Sequence, residues 1–357
     1  MRIAAAISGG VDSAVAAALL SQQGHDVVGV TLKLADLSQT GLGPSRCCSR
    51  EDLALAKRVA EKLGIEHYLI DLQELFRREV LVPFAEAYRA GETPSPCVRC
   101  NSAVKFGELL EIAGSMGAEA LATGHYARCE RKEDGAIALR RGLDLARDQS
   151  YFLFELRREQ LERVVFPLGA LRKDQVRQLA RTFGLPNAER PDSQEVCFVP
   201  SGLSYADVME RVAGVGMPKG GEIVDENGRV CGVHRGIHRY TVGQRRGLGV
   251  AGRGRLYVTA IDAVNNRIVI GALGATLRRR VFLRDVSWLV EPPSASLPVL
   301  VQIRSRHLPS PAVVVIDGKG HAEITFEEPV AAPAPGQAAV CYVSDRLVGG
   351  GWITSSL

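Results

Sequence analysis

Ser8-Gly9-Gly10-Val11-Asp12-Ser13 follows the apolar run Ile3-Ala4-Ala5-Ala6-Ile7 and leads into a segment, Ser13 to Gln23, rich in alanine and leucine. A short apolar run, a glycine pair and a long alanine-rich stretch predict a buried strand turning sharply into a helix. Gly9 and Gly10 can bring backbone amides close to an anion, Ser8 and Ser13 add hydroxyls, and the helix that starts at Val11 aims its positive end at the same place. Asp12 cannot attract phosphate, so its expected role is to engage Mg²⁺ or orient the loop. The spacing is neither Gly-x-Gly-x-x-Gly nor Gly-x-x-x-x-Gly-Lys-Ser/Thr, so neither the dinucleotide fingerprint nor the Walker A loop applies. A plain strand-turn-helix connection shares this outline.

Strand-like and helix-like segments alternate beyond the loop. Asp26 to Leu34, His67 to Ile70 and Ala120 to Thr123 read as strands; Glu51 to Leu63, Leu75 to Tyr88 and Lys105 to Met116 read as helices. The alternation predicts an α/β domain with a mainly parallel sheet, its ligands at the carboxyl ends of the strands. Residues 36–50 and 91–102 read as irregular loops. From about residue 203 glycine breaks the chain into short elements, and after residue 275 strand patterns dominate. The expected organisation is 1–202, a nucleotide-type domain; 203–274, a small mixed domain; and 275–357, a β-barrel-like domain.

The 357 residues carry 46% hydrophobic and 24% charged residues and a net charge of +4. This is an ordinary soluble composition, with no apolar stretch near the roughly 20 residues that span a bilayer. The opening apolar run is too short for a signal peptide, and a cytoplasmic location without membrane attachment is the expectation. The charge alone does not establish a nucleic-acid partner, but basic residues cluster at 234–239, 245–246, 278–280 and 304–307, as a phosphate-binding surface or as a solvated face. Eight cysteines are too dilute for a disulfide scaffold. Cys97-Val98-Arg99-Cys100 admits a redox pair, part of a metal site, or one reactive thiol with an electrostatic helper. Cys97, Cys100 and Cys197 could hold three irons of a [4Fe–4S] cluster. Cys47 and Cys48 have no assigned role. Gly124-His125-Tyr126 follows a strand and could complete the crevice, Gly124 allowing close approach and His125 contacting substrate or serving structure.

Several motifs together carry a resemblance. Ser8 to Ser13 resembles the PP-loop of ATP pyrophosphatases. Thr93-Pro94-Ser95-Pro96-Cys97-Val98-Arg99-Cys100-Asn101, Val104-Lys105-Phe106, Gly124-His125-Tyr126, Asp148-Gln149-Ser150-Tyr151-Phe152-Leu153 and Asp192-Ser193-Gln194-Glu195-Val196-Cys197-Phe198 resemble bacterial tRNA-specific 2-thiouridylases. Tyr240 to Leu248 and Gly349 to Ile353 extend the match over nearly the whole chain. The resemblance implies that ATP, with Mg²⁺, adenylates the C2 oxygen of a wobble uridine in tRNA, releasing pyrophosphate, and that sulfur then displaces AMP. It implies nucleotide binding at Ser8, Gly9, Gly10, Val11, Asp12, Ser13, Leu32 and Gly124. It places tRNA contacts at His125, Arg147, Asp148, Gln149, Arg304, Ser305 and Gln337. Cys197 would carry the persulfide, Cys100 would release its terminal sulfur, and a transient Cys100–Cys197 disulfide would follow. The sulfur would come from a cysteine desulfurase-derived persulfide donor or from sulfide. Many relatives have aspartate where this chain has Cys97 and asparagine where it has Ser95. The extra thiol makes a labile [4Fe–4S] cluster on Cys97, Cys100 and Cys197 an expectation. Another PP-loop enzyme, or a noncatalytic RNA-binding zinc protein, is the competing class.

Overall fold

The computed structural model describes residues 1–35, 49–131, 135–192, 196–200, 202–212, 216–250, 254–292, 295–317 and 319–357. Cys47, Cys48 and Ser193-Gln194-Glu195 lie outside the described residues. The chain forms two compact units, one of residues 1–80, 97–208 and 345–347, the other of 81–96, 209–344 and 348–357.

In the first unit β1 (Arg2–Ala6) is central, beside β2 (Asp26–Lys33), β3 (His67–Asp71), β4 (Ala120–Ala122) and a two-residue strand, Val164–Val165. The order is β3-β2-β1-β4 and then Val164–Val165, and every pair is parallel. The expected parallel sheet is therefore present. Strand order reverses direction between β1 and β4, and an open parallel sheet leaves its crevice at such a switch point. Helix α1 (Val11–Gln22) is buried on most of its circumference, including Val11, Ala14, Val15, Ala17, Ala18 and Leu20. An alanine-rich helix has high helical propensity and a small radius, so it packs close to the sheet. Helix α2 (Arg50–Leu63) is amphipathic; Ser49 caps it by accepting from Asp52 N, and left-handed Gly64 ends it.

The segment read as a loop over residues 91–102 is partly helical. Pro96–Arg99 makes one helical turn and Cys100–Glu108 continues it as a π-helix, which passes into the α-helix Leu109–Ser115. Proline at the first helical position lacks an N–H that would be unpaired there in any case, so Pro96 starts this helix rather than preventing it. π-helical turns are uncommon and are associated with functional sites.

The second unit holds two sheets. Strands Gly221–Asp225, Val230–His234, Tyr257–Asp262 and Arg267–Gly271 form a small sheet with one parallel pairing, between Arg267–Gly271 and Gly221–Asp225, around Ile223, Val258, Ile268 and Ile270. The last six strands, from Leu277–Trp288 to Arg346–Ser356, close a barrel in the order first, fourth, third, second, fifth, sixth, with the sixth pairing antiparallel to the first. Inward residues alternate along Ala322–Ala331 as Ala322, Ile324 and Phe326, the two-residue period of a strand with one buried face. The α/β, small mixed and β-barrel architecture thus matches the sequence reading. No helix among the described residues is long and apolar enough to cross a membrane.

Ile324 is fully buried in the barrel core, and both tryptophans of the chain, Trp288 and Trp352, lie on barrel strands. Ile324→Ala is expected to destabilise this unit by about 2–5 kcal/mol through lost burial and a residual cavity. The readout is the midpoint of the urea transition followed by tryptophan fluorescence.

Candidate active site

The glycine loop leaves the carboxyl end of β1 at the switch point. Ser13 Oγ donates to Gly10 O at 3.0 Å and accepts from Ser8 N at 3.1 Å, which closes the loop over the first turn of α1. Gly9 has φ +79°, and a Cβ there would sit 2.7 Å from Asp52 O, so both conformation and space demand glycine. Gly124 follows β4 and approaches the same turn; a Cβ on it would meet Ser13 N at 2.8 Å and the Asp12 carbonyl carbon at 2.9 Å. The structure therefore brings Ser8 to Ser13 and Gly124 together. Leu32 lies half-buried toward the carboxyl end of β2.

Beside the loop is a charge network that sequence reading missed. Lys173 Nζ lies 2.6 and 2.8 Å from the two carboxylate oxygens of Asp12 and 2.9 Å from Asp192 Oδ1, with its side chain only 11% exposed. Tyr126 Oη donates to Asp12 Oδ1 at 2.9 Å. Arg177 and Arg147 also pair with Asp192, at 2.6 and 3.0 Å. Burial by itself would raise the Asp192 carboxyl, but Lys173, Arg177 and Arg147 together hold it below the usual range. Burial, and then the Asp12 charge, push the Tyr126 hydroxyl far above the usual tyrosine range, so it remains a donor. Asp12 lies 161 residues from Lys173 in sequence, and no local pattern connects them.

The Arg147-Asp148-Gln149 segment divides its roles. Arg147 is exposed and reaches Asp192. Asp148, its side chain 2% exposed, accepts from Arg141 Nε, Gly142 N, Ser150 N and Ser150 Oγ, so its carboxylate is turned inward and holds the turn. Gln149 Oε1 accepts from Tyr126 N while Gln149 N donates to Tyr126 O. His125 is buried among Phe106 and Phe166, with Nδ1 at 2.7 Å from Thr123 Oγ1; burial, then Lys105, depress its pKa well below 6.5, so it is a neutral imidazole. In the second unit Arg304 and Ser305 are exposed on a turn whose carbonyls accept from Gln302 Nε2. Gln337 Nε2 donates to Thr93 O at 2.7 Å and so fixes the Thr93-Pro94 segment.

Cys97, Cys100 and Cys197 are in no disulfide. Burial pushes Cys97 up to about 11, with the Cys197 charge adding to the rise and Lys105 opposing it. Burial pushes Cys100 up to about 12, against the pull of Lys105. Cys97 and Cys100 therefore each lie within electrostatic reach of Cys197 and of the Lys105 ammonium. Lys105 is held by Asn101 Oδ1 at 3.0 Å, and Asn101 Nδ2 donates to Phe152 O at 3.1 Å. The expected [4Fe–4S] ligand set does not fit this arrangement. Among the described residues no three His, Cys, Asp or Glu side chains are disposed to hold a metal ion.

A parallel sheet with a glycine-lined anion cradle at its switch point defines an α/β nucleotide-site domain. Residues 1–201 match the tRNA methyl transferase HUP domain, 211–272 the tRNA methyl transferase PRC-barrel domain, and 278–353 the aminomethyltransferase β-barrel domain. The chain is 46% identical over 360 residues to the tRNA-specific 2-thiouridylase MnmA of Geobacter metallireducens, covering 100% of this chain and 97% of that protein. It is 48% identical over 360 residues to the namesake of Rhodospirillum centenum, covering 99% and 91%. A solved 4-thiouridine synthetase–RNA complex with bound ATP is 18% identical, with TM-score 0.36, over 56% of this chain and 45% of that one. The chain belongs to the tRNA-specific 2-thiouridylase family.

Two outcomes are expected at this site. Gly124→Ala forces backbone atoms of Asp12 and Ser13 to move and is expected to lower stability by about 1–3 kcal/mol, measured by thermal unfolding. With the Cys100 thiol near 12, its alkylation by iodoacetamide should climb about tenfold per pH unit from pH 7 to 10 without levelling, because only the thiolate reacts. Peptide mass spectrometry resolves the site; Lys105→Met should slow the reaction further and Lys105→Arg should preserve it.

Proposed function

We propose that this chain is an ATP-dependent tRNA 2-thiouridylase acting on C2 of a wobble uridine. The observation that carries the reading is the occurrence, in one unit, of a glycine loop at the β1/β4 switch point and of Cys97 and Cys100 within electrostatic reach of Cys197 and Lys105. In this scheme ATP phosphates lie against the Gly9-Gly10 loop and the amino end of α1, where backbone N–H groups and the helix dipole favour anions. Asp12 is the carboxylate suited to hold Mg²⁺, which when bound would neutralise phosphate charge. The uridine C2 oxygen attacks the α-phosphorus, the bond to the β-phosphate oxygen breaks, and pyrophosphate leaves. Lys173 is placed to neutralise that leaving group once it yields its pairing with Asp12.

Sulfur delivery follows on the thiols. A persulfide on Cys197 attacks C2 of the adenylated uridine and AMP departs with the former C2 oxygen. Cys100 thiolate then attacks Cys197 Sγ, the S–S bond to the transferred sulfur breaks, and that sulfur remains on the uridine. The resulting Cys100–Cys197 disulfide requires an external dithiol reductant before the next cycle, after which a persulfide donor passes its outer sulfur to the Cys197 thiolate and departs as a thiol. Lys105 lowers the electrostatic barrier to the Cys100 thiolate, the part that an aspartate at position 97 cannot play by the same chemistry. Arg147, Arg304 and Ser305 supply exposed contacts for RNA phosphates, while Asp148, Gln149 and His125 shape the pocket from inside. Gln337 acts by fixing Thr93-Pro94 next to the thiol helix in sequence.

The test is incubation of the reduced protein with Mg²⁺, ATP, a persulfide donor and unmodified tRNA. Nucleoside mass spectrometry should find 2-thiouridine, with AMP and pyrophosphate formed in equal amounts; pyrophosphate release without tRNA dependence would overturn the reading. Lys173→Met is expected to reduce kcat/KM for ATP by roughly 10²- to 10³-fold, the scale of removing one preorganised charge-stabilising group. Affinity for tRNA, measured by filter binding, should change less than twofold.

A further inference from the structure

We infer that Asn187 and Arg190 are positioning residues for the nucleotide, locking the peptide between Gly9 and Gly10 so that the Gly10 N–H faces the anion. The inference rests on the ATP-site reading above. The Gly9 carbonyl points away from solvent and accepts two bonds, from Asn187 Nδ2 at 3.0 Å and from Arg190 Nη1 at 3.3 Å. Asn187 is 2% exposed, and among the described residues its own Oδ1 has no partner. An amide buried with one end unpaired is unfavourable as packing alone, and the bond that its burial makes is the one to Gly9. Arg190 is itself fixed by an ion pair with buried Asp52, whose carboxylate also accepts from Ser49 Oγ at 2.6 Å. Three segments far apart in sequence, at 9, 49–52 and 187–190, therefore meet at one carbonyl.

The physical consequence follows from the planarity of the peptide. In a trans peptide the C=O and N–H point in opposite directions, so holding Gly9 O inward directs Gly10 N–H to the other side. That N–H belongs to the residue preceding α1, and among the described residues it has no partner. With no Cβ on either side, the Gly9–Gly10 peptide has little intrinsic resistance to flipping. A flipped peptide would present a carbonyl oxygen to phosphate and repel it. Asn187 and Arg190 remove that alternative by binding the carbonyl only in the anion-accepting orientation.

The experiment uses the full chain labelled with ¹⁵N-glycine and titrated with inorganic pyrophosphate and with a nonhydrolysable ATP analogue. The Gly10 amide resonance is expected to shift on saturation with either ligand. Asn187→Ala should weaken the ATP analogue about tenfold and Asn187→Ala with Arg190→Gln about 100-fold, with a smaller Gly10 shift. Affinity for tRNA should stay within twofold, and kcat at saturating ATP within threefold. Should the alanine variant not fold, Asn187→Asp, which keeps the shape but loses the N–H donor, and Arg190→Lys carry the same expectation. Nucleotide affinity within twofold of wild type in the folded variants, or equal losses for nucleotide and tRNA, would overturn the lock alone. Wild-type protein that binds neither pyrophosphate nor the ATP analogue would overturn the ATP reading together with it.

Discussion

The close approach of Gly124 to the first turn of α1 is the constraint on which the candidate site depends. Because β1 and β4 are adjacent and parallel, the loops leaving them point the same way, and the sheet opens between them. Any side chain at Gly124 would collide with backbone of Asp12 or Ser13, and backbone cannot yield as a flexible side chain can. The alanine-rich face of α1 serves the same end, since small residues let the helix sit deep enough for its amino end to reach the crevice.

The charges around this crevice are arranged for exchange rather than for stability alone. Lys173 is shared between Asp12 and Asp192, and Asp192 is shared between Lys173, Arg177 and Arg147. Each cation thus already has an anionic partner before phosphate arrives. A ligand bearing several negative charges can take over the cations while the carboxylates turn to a metal or to one another's donors. The thiol group follows the opposite principle. Burial keeps Cys97 and Cys100 protonated, and Lys105 is the named cation that opposes this effect. Neutral thiols resist adventitious oxidation, because the thiolate is the reactive form.

Cys97 is the residue on which the sequence reading and the structure differ. The sequence suggested that the third thiol would complete an iron–sulfur site, but among the described residues no three ligands are disposed to hold a metal ion. Ligand type and spacing were readable; convergence and protonation were not, because they depend on burial. His125 illustrates the same point. Its neighbours in sequence say nothing of Phe106 and Phe166, which enclose it and make it neutral.

The sequence by itself determined the parallel α/β domain, the glycine loop, the two later β-rich regions and the pairing of Cys97 with Cys100 in one short motif. These are encoded in local composition: short apolar runs, glycines where φ must be positive, a helix of small residues, and a short motif of thiols beside Pro96. It did not reveal the helical start at Pro96, the π-helix that follows, or the inward turn of Asp148. Only the tertiary structure decided which distant groups meet, bringing Lys173 to Asp12 and carrying Asn187 and Arg190 to the carbonyl of Gly9. The physical reason is that periodicity and turn chemistry act over a few residues, whereas hydrogen-bond partners and burial are settled when segments more than 150 residues apart pack against one crevice.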